Sequence, residues 1–413
     1  MQEQARYAVG IDVGTTQIRC VVGHIDPATG TPTIVGVGHA PNSGMRKGTV
    51  VNLAGPAHAI DQALGEAERM SGYEVNHATL SVNGAHIIST KADGMIAVGM
   101  GDQEISNVEV DRLEEVATVG KIPPNRRVLD VVPFSYTLDG QGGIKNPVGM
   151  TGNRLEVNAN IISAMGQHLA ALEQASESAT VVPNATVAAP VASAKAVLTE
   201  QQMENGVAVI DLGGATTGVA VFEEGDLQYV GVIPVGGVNI TNDLAIGLKT
   251  DPEIAEKVKL QHAAIGHKRD VTEVTIKHDK ESLTFAVEDI DEIVEARLEE
   301  IFELINKELK KAGCAGRLPN GVVLVGGSAN LKGIVEFTKD KLAVAARLGK
   351  AAGFGGVADN IDKPEYAAAV GLMLKDAEGV TMPQDTHKGG GASAVHLKNA
   401  GGLLKGLLAR IKS

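Results

Sequence analysis

Two acids, each ending an apolar run and each followed by glycine and threonine, carry the most visible chemistry in this chain. Asp211 ends the run that begins at Val207. Gly213-Gly214-Ala215-Thr216-Thr217 follow, and a second apolar run reaches Phe222. Gly213 and Gly214 lack a Cβ, so the backbone can turn tightly and bring its N–H groups close to an anion. Thr216 and Thr217 add hydroxyl donors, and Asp211 is of the type that holds a hydrated Mg²⁺ beside phosphates. An ordinary tight turn can have the same composition. The pattern repeats, however, about 200 residues earlier, where Asp12 stands at the end of the run Tyr7–Val13 and Gly14, Thr15 and Thr16 lead to the run Ile18–Ile25. Duplicated hairpins of this kind imply two like lobes that bring their turns to one ligand. A third element, Val322–Val325 followed by Gly326-Gly327-Ser328, opens a helix at about Asn330. Its glycines permit close approach to a sugar or phosphate, and the helix points N–H groups and positive dipole at it. Together the three elements point to a nucleotide.

Composition narrows the field. The 413 residues suit two to four domains with a real core. A net charge of −13, no Trp and 3% aromatic residues argue against a nucleic-acid-binding body, which needs cations and stacking platforms. The two cysteines, Cys20 and Cys314, match no metal spacing and read as buried thiols in a reducing compartment. The start, MQEQARYAVGIDVG, has no signal-peptide plan, and no run of about 18 apolar residues follows. A cytoplasmic, non-spanning protein is expected.

The elements that must hold the turns alternate strand and helix. Strands are expected at Tyr7–Val13, Ile18–Ile25, Thr33–Val37 and Ala78–Val82, with a helix over about Ala54–Ser71. Residues 83–160 read differently. Short β-like runs at His86–Thr90, Met95–Val98 and Arg127–Val132 surround one helix at about Val108–Thr118, which suggests an inserted α+β subdomain. From 161 the α/β rhythm resumes, with helices at about Gln167–Ser178 and Thr186–Leu198 before the Asp211 hairpin and a strand at Leu227–Pro234 after it. Residues 240–312 form a second, helix-rich insertion: Thr241–Leu248, Pro252–His262, a two-strand patch over Val271–Phe285, and a long helix Val287–Lys311. On that helix Ile290, Ile293, Val294, Leu298, Ile301 and Ile305 form an apolar face, and a final helix spans Tyr366–Asp376.

The tail changes character. Asp376–Ala400 reads as a flexible linker with an r.m.s. span of about 25–30 Å. In LLKGLLARIKS the residues Leu403, Leu404, Leu407, Leu408 and Ile411 share one arc of a helix, while Lys405, Arg410 and Lys412 lie outside it. A short cationic amphipathic helix on a tether is the pattern of an interfacial membrane anchor on an anionic surface. A helix docked on its own core, or a docking peptide, would be the plain alternatives. One such helix binds weakly, and many held side by side bind strongly through effective concentration.

With these pieces assembled, the chain resembles the actin-like ATPase superfamily and, within it, the FtsA family of bacterial division proteins. The likeness covers about Tyr7 to Leu374. Its most specific pieces are Gly44-Met45-Arg46-Lys47-Gly48, Gly143-Ile144-Lys145-Asn146-Pro147-Val148-Gly149, Val197-Leu198-Thr199 and Ile233–Asp243. The resemblance implies an α/β, actin-like two-lobe fold of duplicated ribonuclease H-like domains. The first lobe would be 1–82 and 161–204 with the subdomain 83–160 inserted. The second would be 205–239 and 313–375 with the insertion 240–312, then the linker 376–400 and the membrane-targeting helix 401–413. It implies ATP with Mg²⁺ between the lobes. Asp12, Gly14, Thr15, Thr16 and Gln17 would form the first phosphate turn, and Asp211, Gly213, Gly214, Ala215, Thr216 and Thr217 the second, with Asp12 and Asp211 on the metal through water. Gly236, Gly237 and Asn239 would line the cleft, Glu256 and Lys259 would flank ribose and base, and Gly326, Gly327 and Ser328 would meet the adenosine. Glu256 and Lys259 could equally be a surface ion pair.

The role implied is to tether the tubulin-like protein FtsZ to the cytoplasmic face of the membrane at the division site, with ATP-dependent filament formation. The C-terminal peptide of FtsZ would dock around Val287–Asn306, with Arg297, Glu299 and Glu303 as its contacts, and later division proteins would meet residues 83–160. Three departures bear on turnover. Gln17 stands where the family often has Lys, Gly218 replaces a usual acid, and Thr186-Val187-Ala188-Ala189-Pro190 occupy the place where hydrolytic relatives orient the attacking water. Without such a group phosphoryl transfer loses a main source of acceleration, so at most a slow ATPase is expected. A PilM-like scaffold of pilus assembly and a sugar- or acetate-type kinase are the alternatives. The kinase needs a catalytic Asp that no residue supplies convincingly, and the cationic tail favours the division protein.

Overall fold

The computed structural model describes residues 6–99, 104–266, 270–278, 281–356 and 361–381. The chain begins with β1 (Arg6–Val13), β2 (Gln17–Ile25), β3 (Pro32–Pro41), the short pair β4 (Met45–Arg46) and β5 (Thr49–Val50), α1 (Ala54–Ser71) and β6 (His77–Val82). The first insertion supplies β7 (Ile88–Ala97), α2 (Asn107–Thr118), β8 (Arg126–Leu138), β9 (Gln141–Ile144) and β10 (Arg154–Met165). Next come α3 (Gly166–Ser178), β11 (Val182–Ala188), α4 (Ala189–Val197) and α5 (Glu200–Asn205). The second half holds β12 (Val207–Leu212), β13 (Thr217–Glu223), β14 (Asp226–Ile233), α6 (Gly237–Gly247), α7 (Pro252–His262), β15 (Glu273–His278), β16 (Glu281–Ala286) and α8 (Val287–Lys311). It closes with β17 (Val322–Val325), α9 (Ile334–Leu342), β18 (Ala346–Leu348) and α10 (Ala367–Thr381).

The duplication is explicit in the sheets. One runs β3-β2-β1-β6-β11 and the other contains β14-β13-β12-β17-β18, each with two antiparallel pairings followed by two parallel ones. The chain thus has the two-lobe actin-like fold. Buried aliphatic residues of both sheets share one core around α4, which packs on α10 and on β12 and β13.

Several elements differ from expectation. The segment around Thr186 is not helical: β11 pairs in parallel with β6 through Ala188, and Pro190 then opens α4. His86–Thr90 and Met95–Val98 belong to one strand, because the polar residues between them pair along β10. Strand β10 itself carries no clean alternation and runs through residue 160, the expected end of the insertion. The first lobe holds the insertion in sequence, but its sheet continues the second lobe's, through Ile88 beside Gly231. Lys145 Nζ donates to Asp226 Oδ2 at 2.6 Å, and Asn160 Nδ2 to the Leu227 carbonyl at 3.0 Å. Because Asp226 is 4% exposed, Lys145→Met should leave a buried acid unpaired and lower stability by about 1–3 kcal/mol. Urea unfolding of the variant and of Lys145→Arg, which keeps the charge, measures it.

Helix α10 also runs past the expected linker boundary at 376. Asp376 is buried and accepts from Val9 N (2.8 Å), Thr79 Oγ1 (2.8 Å) and Asn184 Nδ2 (3.0 Å), which fastens the helix to β1, β6 and β11. The rest of the linker and the amphipathic residues Leu403, Leu404, Lys405, Leu407, Leu408, Arg410, Ile411 and Lys412 lie outside the described residues. Among the described residues no helix is long and apolar enough to cross a membrane.

Candidate functional site

The two hairpin turns meet. A Cβ built on Gly214 would lie 2.5 Å from Thr16 Oγ1 and 2.8 Å from its methyl carbon, so the turn from one lobe rests directly on the turn from the other. Around this contact opens a cavity of about 740 Å³. Of the expected residues, Asp12, Gly14, Thr15, Thr16, Gln17, Asp211, Gly213, Gly214, Ala215, Thr216, Glu256, Lys259, Gly326, Gly327 and Ser328 line it. Gly326 sits at φ 85°, and a Cβ there would strike Asp211 Oδ1 at 2.5 Å, so the close approach of the third turn needs glycine.

Each turn is buttressed from behind. Asn42 Nδ2 donates to the Gly14 carbonyl at 2.7 Å, and Gly48 N to Thr15 Oγ1 at 3.0 Å, which gives the Gly44–Gly48 motif a structural task. In the second lobe Gly237 N and Ser328 Oγ both donate to the Gly213 carbonyl, at 3.0 and 3.2 Å. Four expected cleft residues therefore stand outside the cavity. Gly236 and Gly237 back the turn, and Asn239 Oδ1 accepts from Gly236 N at the start of α6. Thr217 is fully buried and donates to the Val235 carbonyl at 2.9 Å. Glu256 and Lys259 form the 2.7 Å ion pair of the plain reading and also face the cleft.

Asp12 and Asp211 face the same space. Burial raises the Asp12 carboxyl above its usual range, with Ser81 and Arg19 opposing. Burial, and then the Asp12 charge, push Asp211 up to about 7, against a hydrogen bond from Ser193. Two desolvated acids, one of them raised further by the charge of the other, fit a hydrated divalent cation, whose charge reverses that penalty. Among the described residues no three His, Cys, Asp or Glu side chains gather around one point, so such an ion would keep water as most of its ligands.

A carboxyl whose folded pKa exceeds its unfolded value adds most stability in acid and loses it as pH rises through the folded pKa. For Asp211 the window is from about 4 to about 7. The melting temperature of metal-free protein should therefore fall across that window, and Asp211→Asn should flatten the fall. Asp130, pushed up to about 8 by burial on β8, contributes the same sign and stays in the variant. An unchanged slope in Asp211→Asn would contradict the shared acid pair.

The cleft also holds residues not anticipated, among them Arg19, Asn83, Leu260, Lys332 and Tyr366. Arg19 pairs with Asp12 across the β1–β2 register and lies 5.4 Å from the Tyr366 ring centroid. It restores the cation whose loss at Gln17 the sequence suggests. The absent acid at Gly218 has a steric counterpart: a Cβ there would meet Pro190 at 3.0 Å. On α8, Arg297 is bound to Asp243 of α6 (Nη2 to Oδ1, 2.9 Å), Glu299 to Lys341 of α9 (2.5 Å), and Glu303 is exposed.

Comparison with known proteins bears on the family and the fold. The profile of the family described as cell division protein FtsA matches residues 208–371, and that of the SHS2 domain inserted in FtsA matches 84–163. Similar curated proteins include the cell division protein FtsA of Pseudomonas aeruginosa, 32% identical over 92% of this chain and 92% of that protein. Those of Neisseria meningitidis (33%; 100% and 98%) and Bacillus subtilis (35%; 88% and 82%) are comparable. Among solved structures, a PilM–PilN type IV pilus biogenesis complex aligns with a TM-score of 0.65 at 17% identity, covering 90% of this chain and 98% of that one. MreB5 of Spiroplasma citri bound to ADP aligns at 0.50 and 13%, covering 89% and 95%. These two likenesses show the fold alone.

Proposed function

This chain belongs to the FtsA family of cell division proteins, and from that premise we propose that it is a nucleotide-dependent adaptor holding FtsZ at the membrane. The observation that carries the nucleotide reading is the contact of Gly214 with Thr16, which leaves one cleft under both turns. ATP would lie there with its phosphates on the backbone N–H groups of Gly14–Gln17 and Gly214–Thr216, and with Arg19 as the nearby cation. Asp12 and Asp211 would hold hydrated Mg²⁺, which neutralises phosphate charge when bound. Glu256, Lys259 and the exposed Leu260 would flank ribose and base, with Gly326–Ser328 against the adenosine. Thr186–Pro190 offer no group to orient water, so ATP acts as a ligand that is hydrolysed slowly or not at all. Brisk Mg²⁺-dependent phosphate release, lost in Asp211→Ala, would overturn that.

The solvent face of α8, with Arg297, Glu299 and Glu303, would receive the FtsZ C-terminal peptide. The first insertion would serve filament contacts and later division proteins, and the helix at 401–413 would anchor the assembly on an anionic membrane. Flotation of FtsZ with anionic liposomes tests the adaptor as a whole. FtsZ should float with the full chain and ATP, and should stay at the bottom with a chain ending at Ala400 or with Leu408→Glu. Equal flotation in all three removes the anchor.

A further inference from the structure

We propose that Ser193 is a positioning residue that holds the Asp211 carboxylate in the orientation the metal half of the cleft needs. This rests on the Mg²⁺–nucleotide reading above. A serine inside a helix ordinarily returns its hydroxyl to the carbonyl four residues back. Ser193, fully buried on α4, instead donates to Asp211 Oδ2 on β12 at 3.0 Å. The other oxygen of that carboxylate is confined by Gly326. Asp12 has a matching partner of different origin. Ser81 Oγ donates to Asp12 Oδ1 at 2.8 Å and accepts from Val13 N at 2.8 Å, and all three residues lie in one sheet. Asp12 is therefore oriented within its own lobe whatever the cleft does. Asp211 is oriented by a donor outside its own sheet, on a helix that follows directly from the first-lobe strand β11 and packs on α10 as well as on β12 and β13.

The test is the Mg²⁺ dependence of fluorescent-ATP binding by the full chain. Outer partners of metal-binding groups typically affect metal affinity by 10–100-fold, so Ser193→Ala should raise the half-saturating Mg²⁺ concentration about tenfold. Affinity in EDTA should stay within about twofold of wild type, since the phosphate turns are untouched. Ser193→Cys, of similar size but a weak donor, should behave like Ser193→Ala. In an Asp211→Asn background, Ser193→Ala should add nothing. Equal losses with Mg²⁺ and with EDTA, or a full effect in that background, would overturn the positioning role. Wild-type binding that ignores Mg²⁺ would remove the metal reading, and no binding at all the nucleotide reading.

Discussion

Gly214→Val should cripple nucleotide binding while the protein stays folded. The position is in a turn between two intact strands, so no core residue is disturbed. A β-branched side chain there must push Thr16 away, because even a Cβ would sit 2.5 Å from Oγ1. The two turns cannot then rest on each other, and the phosphates lose donors from one lobe. A loss of about 100-fold or more in ATP affinity, roughly 3 kcal/mol, is expected. Calorimetric titration reads the affinity, and circular dichroism shows that the fold remains. Gly214→Val combined with Thr16→Gly, which makes room for the new side chain, should recover part of the loss. Unchanged affinity in the single variant would mean that the turns do not share a ligand.

Asp376→Ala has the opposite profile: it spares the site and unbalances the fold. Its carboxylate accepts from three donors, two of them at 2.8 Å, and Thr79 and Val9 are almost wholly buried. Removing the acceptor strands those donors without water. At about 1–3 kcal/mol per unsatisfied group, and with partial relaxation, a loss of about 3–5 kcal/mol is expected from a total of order 5–15. Asp376→Asn keeps one accepting oxygen, which receives both side-chain donors, and should lose less. Chemical unfolding ranks the three proteins, and equal stability of wild type and Asp376→Ala would contradict the staple.

Much of this architecture was legible because duplication writes the same pattern twice. The Asp12 and Asp211 turns, the Gly326 turn and the α8 stripe follow from composition and period alone. What escaped was carried by pairing and not by pattern. Strand β10 alternates poorly because its residues face the insertion's core, the second lobe and α3 in turn. Thr186–Ala188 looks like the start of a helix until β6 offers it a parallel partner. Asp376 follows Lys375 in a segment whose composition suggests a linker, and only the depth of α10 in the fold makes it a core acceptor. Arg19 was available by counting forward across the turn, since a four-residue turn over Gly14–Gln17 sets it opposite Asp12. Gly236, Gly237, Asn239 and Thr217 are the reverse case. Their types suit a phosphate, but packing against Gly213 and Val235 engages them behind the cleft.

Hydrogen exchange with and without Mg²⁺–ATP puts the shared cleft to the test in one experiment. Slowed exchange should appear together in peptides covering 12–17, 211–217 and 326–328, with the same dependence on ATP concentration. Protection confined to the turn of one lobe, or none at saturating ATP, would contradict a single nucleotide held between the two.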